Sequence, residues 1–138
     1  MILAVQPQSP VPIYEQIVSQ IIFSIAADGM APGTLIPSVR ELAQTLRVHP
    51  NTVARAFQEL ERRGIVTARR GVGMEITPEA RKICRDERQQ IVRTQIREAL
   101  RAAVASALPA EVIRRLVEDE LHHANGAQKP RVKGPTSP

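Results

Sequence analysis

The chain has 138 residues, enough for one domain with an appended segment, and its 43% hydrophobic and 24% charged residues are typical of a soluble globular protein. No apolar run is long enough to span a membrane, and aromatic residues, at 2%, are too few for a protein that stacks single-stranded bases. The lone Cys84 excludes an internal disulfide, and no basic stretch before an apolar one marks an export signal, so we expect a cytoplasmic protein.

The net charge of +5 is concentrated in one part of the chain. Between Arg40 and Arg70 there are seven arginines and three glutamates. Phosphate binding depends on the local density of positive charge rather than on the total, so this segment indicates a nucleic-acid partner. The alternative is a solvated charged surface with no specific role.

Three helices are predicted in the first half of the chain. Apolar residues at spacings of three and four over residues 11–27 predict the first, which Asp28-Gly29 ends. Ser38, followed by Glu41, predicts a capping box at the start of a second, shorter helix, in which each side chain bonds the other residue's backbone amide. Pro50 suits the first position of a third helix, because the missing N–H of proline loses no helical bond there.

The second and third helices, joined by a short turn around Arg47-Val48, have the organisation of a helix-turn-helix. Such a motif places its second helix in the major groove of B-DNA, where the side chains at the start of that helix read base edges. Behind it, residues 65–69 and 74–77 flank a glycine-containing tip and predict a β-hairpin. Two arginines at the tip make this hairpin a candidate wing against the DNA backbone or the minor groove.

A helical segment is predicted beyond Pro78. A helix over residues 79–107 carries an apolar stripe, Pro109 breaks it, and a last helix over residues 110–124 ends at Asn125-Gly126. Two helices of these lengths cannot enclose a core by themselves, so we expect a second copy of the chain to cover their apolar faces. The alternative is that this helical hairpin folds back on the N-terminal domain.

The predicted fold is mainly α with a small β-hairpin wing: a winged helix-turn-helix followed by a two-helix C-terminal segment. We predict a DNA-binding domain over residues 1–78, a helical dimerisation segment over 79–124 and a disordered basic tail over 125–138. A homodimer presents the same surface twice, so the expected partner is double-stranded DNA that carries an inverted-repeat operator.

Nothing in the sequence suggests catalysis, a metal or another cofactor. No nucleophile lies beside a base, and no carboxylate pair is isolated in an apolar stretch. His122 and His123 follow Glu118 and Asp119 by four residues, but this pattern favours a solvated helix end over a metal site. Cys84 is expected to be a packed small apolar residue rather than a redox sensor.

Four sequence segments follow one another in register over residues 11–77: PIYEQI at 12–17, PGTLIPSVRELA at 32–43, VHPNTVARAF at 48–57 and GVG at 71–73. Together they resemble the GntR family of bacterial transcription regulators, and the short helical C-terminus resembles its YtrA-like branch. The resemblance implies a dimerising C-terminal segment that is too small for a ligand pocket. It also implies a repressor, often of a neighbouring transporter operon, while the operator sequence, the target genes and any small-molecule effector stay open.

The resemblance assigns DNA contacts to Arg40, to Thr52 and to the wing tip Arg70-Gly71. Pro50 and Ala54 stand where some branches carry base-reading arginines, so the operator specificity of those branches does not transfer. Position within the predicted motif adds the remaining candidates. The full set of predicted DNA-contacting residues is Ser38, Arg40, His49, Asn51, Thr52, Arg55, Arg69, Arg70 and Gly71.

These candidates also have structural interpretations. His49, Asn51 and Thr52 suit a helix cap, and Arg55 lies four residues before Glu59, a spacing at which an ion pair stabilises a helix. For the whole chain, the alternative to a dimeric repressor is an interaction module whose winged helix binds protein. The arginine-rich segment argues against that module, because protein-binding faces carry apolar anchors.

Overall fold

A computed structural model of the chain describes residues 3–128, and the side chains of residues 3–126. The described part contains five helices and two strands: α1 (Ile13–Ala26), α2 (Val39–Leu46), α3 (Pro50–Arg62), β1 (Val66–Arg69), β2 (Gly73–Ile76), α4 (Ala80–Ala105) and α5 (Ala110–Gln128). The chain separates into two compact units, Met1–Arg93 and Thr94–Pro138. The predicted fold class, mainly α with a small β-hairpin wing, is confirmed.

The core of the first unit is aliphatic, as the scarcity of aromatic residues predicts. Along α1 the fully buried residues recur at helical spacing, so that one face of the helix is apolar and packs against α3. Phe57 is the one aromatic residue among the buried core residues in the described part of the chain. The largest side chains with essentially no exposure are Ile17, Ile21, Ile22, Ile25, Val53, Leu60, Ile65, Val66, Ile76 and Cys84.

Local signals fix the ends of the two helices of the helix-turn-helix. Ser38 is the N-cap of α2, and its hydroxyl accepts a hydrogen bond from the Glu41 amide at 3.1 Å. The Glu41 carboxylate accepts from the Ser38 hydroxyl at 3.2 Å, where the predicted capping box would have it accept from the Ser38 amide. Arg47 ends α2 in the left-handed region, with φ of 56°, and turns the chain towards α3.

The wing is a two-stranded antiparallel hairpin, and a third segment pairs with one of its strands. The predicted hairpin forms, and β1 and β2 pair from Val66 opposite Ile76 to Arg69 opposite Gly73. On the other side of β2, Leu35 forms a bridge with Glu75, and the Ile36 amide donates to the Met74 carbonyl at 3.0 Å. This pairing with β2 was not predicted, since two or three residues show no strand periodicity.

The buried core of the first unit continues past residue 78, where the DNA-binding domain was predicted to end. Ala80 and Cys84, on the first two turns of α4, are fully buried in the core of the first unit, which extends to Arg93. Burial and, to a smaller extent, the nearby Glu87 carboxylate raise the pKa of the Cys84 thiol to about 12. Cys84 is therefore the packed, unreactive side chain that the sequence predicts.

The second unit consists of the end of α4 and of α5. The predicted stop at Asn125-Gly126 is wrong, because α5 continues through both residues to Gln128. Asn and Gly each cost a helix about 1 kcal/mol or less relative to Ala, which established helical turns tolerate. Residues 129–138 of the predicted disordered tail lie outside the described residues. Within residues 3–128 no helix is long and apolar enough to cross a membrane.

Candidate nucleic-acid interface

The N-terminus of α3 presents polar side chains that are free to bind a ligand. His49 is the N-cap, and its Nδ1 accepts a hydrogen bond from the Asn51 amide at 3.0 Å. The side chains of Asn51, which is exposed, and Thr52, which is half-buried, make no hydrogen bond within residues 3–128. The capping role predicted for His49 is confirmed, whereas the side chains of Asn51 and Thr52 do not cap the helix.

Three arginines of the basic segment are exposed and form no ion pair within residues 3–128: Arg40 on the first turn of α2, Arg47 in the turn, and Arg70 at the wing tip. An unpaired guanidinium keeps its full charge and its donors for a phosphate or a base edge. Arg40 and Arg70 were predicted contacts, whereas Arg47 was missed. The charge of Arg47 was visible in the sequence, but its place in the turn between the two helices argued only for a helix end.

Other arginines of the basic segment are already paired. Glu59 binds both Arg62, with Nε 3.0 Å from Oε2, and Arg63, with Nε 2.8 Å from Oε1. The hydrogen bonds from Arg62 and Arg63 lower the pKa of Glu59 from 4.5 to about 2, although burial opposes them. The charge available to DNA is therefore smaller than the count of arginines suggests.

Arg55 contacts an aromatic ring rather than the carboxylate considered as its structural partner. Its guanidinium carbon lies 3.9 Å from the centroid of the Tyr14 ring, a cation–π contact that joins α3 to the first turn of α1. The alternative prediction, an ion pair between Arg55 and Glu59, is wrong, because Glu59 binds Arg62 and Arg63 instead. Tyr14 itself was overlooked as a site residue, although it stands in the PIYEQI segment that carries part of the family resemblance.

The wing tip is exposed and narrow. Gly71 has a φ of 76°, which a residue with a side chain rarely adopts, and nothing lies within 4 Å of where its Cβ would be. Arg69 forms an ion pair with Glu75, so within the wing only Arg70 presents an uncompensated charge in this part of the structure. Val72, 60% exposed, adds an apolar side chain to the tip.

The described side chains offer little for other chemistry. Within residues 3–126 no group of three or more His, Cys, Asp or Glu residues is placed to hold a metal ion. A helix with a polar, exposed start, flanked by unpaired arginines and a hairpin, matches the shape and charge of the major groove and its phosphates. The fold and this surface define a winged helix-turn-helix DNA-binding protein.

Comparison with known proteins specifies the family. Residues 13–76 match the model of the bacterial regulatory proteins of the gntR family. The HTH-type transcriptional repressor YtrA of Bacillus subtilis is 32% identical over 127 residues, which cover 92% of this chain and 98% of YtrA. The chain belongs to the GntR family of bacterial transcription regulators and resembles its YtrA-like members over nearly its whole length.

Solved structures agree with this assignment. YtrA from Sulfolobus acidocaldarius, a GntR-family transcription factor, has a TM-score of 0.56 and 32% identity, covering 72% of this chain and 98% of that one. The DNA-binding domain of AraR in complex with operator ORX1 has a TM-score of 0.50 and 26% identity, covering 54% of this chain and 94% of that one. The protein is thus a DNA-binding transcription regulator and not an enzyme.

Proposed function

We propose that this protein is a cytoplasmic homodimer that binds an inverted-repeat operator and represses a small operon. Repression follows if the bound dimer occupies a promoter and excludes RNA polymerase. The repressor role is that of the YtrA relative, and the resemblance of the C-terminal segment to that branch supports a transporter operon as the target. The observation that supports a dimer is the exposed apolar surface of α4 and α5.

That surface consists of large side chains that are between 38% and 67% exposed: Val92, Ile96, Leu100, Val104, Leu108, Leu116, Val117 and Leu121. On α4 they recur every four residues and form one stripe. Among the described side chains of α5, only Ile113 is buried. Burying a fully exposed side chain of this kind is worth roughly 1.5–3 kcal/mol, so covering the exposed part of each contributes about half of that, and a second copy covers them by symmetry.

We assign DNA binding to the predicted residues, with Arg47 added. Asn51 and Thr52 lie at the start of the helix that enters the groove and are proposed to contact bases. Arg40, Arg47 and Arg70 are proposed to contact phosphates. Ser38 and His49 act first as helix caps, and their contacts with phosphate are secondary. Arg55 contacts phosphate while its guanidinium stacks on Tyr14, and Gly71 lets the wing backbone approach the DNA. Arg69 can contact phosphate only after its ion pair with Glu75 breaks.

Light scattering after size exclusion tests the dimer. The expected mass is twice the chain mass of 15.2 kDa. Leu116→Gln with Leu121→Gln should give a monomer, whereas Arg115→Gln with Glu120→Gln, exposed polar positions of the same helix, should leave the dimer intact. A monomeric wild-type chain at tens of micromolar would contradict the proposal.

Selection of bound duplexes from a randomised library tests the operator. The enriched sequences should contain one half-site motif twice, in inverted orientation, with centres about one helical turn or a multiple of it apart. Enrichment of a single unrepeated motif would show that the chain binds DNA without the proposed symmetry.

A further inference from the structure

The first two turns of α4 are held by the winged helix through buried apolar contacts. Ala80 and Cys84 are completely buried, and a Cβ on Gly64 would lie 3.6 Å from the Ile83 Cδ1 atom. Just before α4, the Thr77 hydroxyl donates to the Gly64 carbonyl at 2.7 Å, tying the start of α4 to the end of α3. We call residues 80–87 the α4 anchor.

An ion-pair network holds the anchor at the end of α3. Arg63, which directly follows α3, donates from Nη1 to Glu87 Oε2 at 2.9 Å and from Nε to Glu59 Oε1 at 2.8 Å. The three side chains are 24–33% exposed, so water screens them less than it screens a pair at the surface. The guanidinium of Arg63 therefore bridges the helix that reads DNA and the α4 anchor.

A second set of ion pairs holds the anchor at the end of α1. Asp28 Oδ1 lies 3.1 Å from Arg81 Nε and 3.1 Å from Arg85 Nη2. Arg81 and Arg85 are one helical turn apart, so both can meet one carboxylate. Asp28 follows α1 with a φ of 60°, a conformation that Asp and Asn tolerate better than most residues, and this places its carboxylate beside α4.

We propose that the α4 anchor determines which spacing between half-sites the protein accepts, an inference that rests on the proposed binding of a dimer to two half-sites. A helix held by ends of both α1 and α3 cannot pivot on the winged helix without breaking ion pairs. Each inserted base pair displaces one half-site by about 3.4 Å and rotates it by about a tenth of a turn. Following that displacement requires movement at the point where α4 joins the DNA-reading domain.

The double variant Asp28→Asn with Glu87→Gln, which we call the clamp variant, tests this inference. It replaces one carboxylate in each ion-pair network by an amide of the same shape. Its control is Glu61→Gln with Asp86→Asn, which changes the net charge equally at two exposed carboxylates that form no ion pair within residues 3–128. Both variants and the wild-type chain are used to select duplexes from a randomised library. The measurements are the half-site motif, the distribution of half-site spacings, and the affinity for the wild-type site with one, two or three base pairs inserted.

We expect the wild-type chain and the control to select one spacing and to bind about tenfold or more weakly when two base pairs are inserted, because the two half-sites can no longer be engaged at once. The clamp variant should select the same half-site motif over a broad range of spacings and weaken by less than about threefold on that insertion. A clamp variant as selective for spacing as the wild type overturns the inference while leaving the dimeric regulator intact. If the wild-type chain selects no repeated half-site, both proposals fail.

If the clamp variant proves less stable than the wild-type chain, two single substitutions with milder effects test the same inference. Arg63→Gln removes the bridge to Glu87, whereas Arg62→Gln at the preceding position removes only a pair within the α3 end. Broader spacing in Arg63→Gln and unchanged spacing in Arg62→Gln support the inference. Equal spacing distributions in these two variants, with both folded by thermal melting, overturn it.

Discussion

Arg69 and Glu75 form an ion pair across the two strands of the wing. In the register of the hairpin Arg69 is opposite Gly73 and Glu75 is opposite Thr67, so the pair is diagonal and lies on one face. The Glu75 carboxylate thus compensates one of the arginines that were predicted to contact DNA. Binding of Arg69 to a phosphate requires that it exchange this carboxylate for the phosphate.

Replacing Glu75 by Gln should therefore strengthen binding to duplex DNA of any sequence. With the competing charge removed, Arg69 is free to bind a phosphate, and the log–log salt slope should steepen by about 0.9 per subunit. Glu61→Gln, which makes the same change of net charge away from the wing, controls for the general electrostatic gain. Titrations of random duplex at three salt concentrations measure both. Equal slopes in the two variants would show that Arg69 does not reach phosphate.

The stack of Arg55 on Tyr14 should contribute measurably to stability. Tyr14→Leu removes the ring face and is expected to lower the free energy of unfolding by roughly 0.5–1 kcal/mol, the range for an exposed cation–π contact. Tyr14→Phe keeps the ring and removes only the hydrogen bond of the hydroxyl to Glu15, so it should unfold close to the wild type. Urea unfolding measures both. A double-mutant cycle with Arg55→Gln should show the coupling, and a coupling near zero would contradict it.

The bonds of Glu59 to Arg62 and Arg63 should make stability depend on pH at the acidic end. Because the folded state holds the pKa of Glu59 at about 2 instead of 4.5, its stabilising contribution is complete above about pH 4.5 and is lost as the pH falls to 2. The wild-type chain should exceed Glu59→Gln in stability at pH 6, and the difference should shrink towards pH 2. Urea unfolding across this range measures it, and 1 M salt should reduce the difference at pH 6. A difference that does not change with pH would refute the assignment.

The features that the sequence predicted correctly depend on neighbouring residues. Ser38 capping α2 and Pro50 opening α3 are local preferences of the backbone, and the apolar stripe of α1 follows from helical geometry. The wing tip follows from Gly71 and the β-branched residues around it. Such signals need no knowledge of the rest of the chain, and they were enough for the fold class and for the positions of the two helices of the helix-turn-helix.

The features that the sequence missed join distant residues. Arg55 meets Tyr14 because α1 packs against α3, and no spacing in the sequence shows this contact. The burial of the start of α4 was missed for the same reason, since Cys84 is buried by elements far from it in sequence. The partners of Arg63 and Asp28 on α4 could be found only once the helices were placed.

The sharpest test of the DNA interface separates charge from base reading. Arg40→Ala or Arg70→Ala should weaken binding to operator and random duplex alike, and each should flatten the salt slope by about 0.9 per subunit, or about twice that for a dimer. Asn51→Ala and Thr52→Ala carry no change of charge and should leave the slope unaltered. They should instead reduce discrimination between operator and random duplex by about 1–3 kcal/mol for each base-reading hydrogen bond that the substitution removes.

The capping role of His49 supplies the control for stability. Because the His49 ring caps α3 and the Asn51 side chain makes no hydrogen bond within the described residues, Asn51→Ala should melt close to the wild type. His49→Ala removes the cap and should lower the free energy of unfolding by about 1 kcal/mol. Affinity for both duplexes at three salt concentrations, with a thermal melt of each variant, gives every quantity needed. Wild-type discrimination in both Asn51→Ala and Thr52→Ala would place the reading surface elsewhere, whatever the arginine variants do.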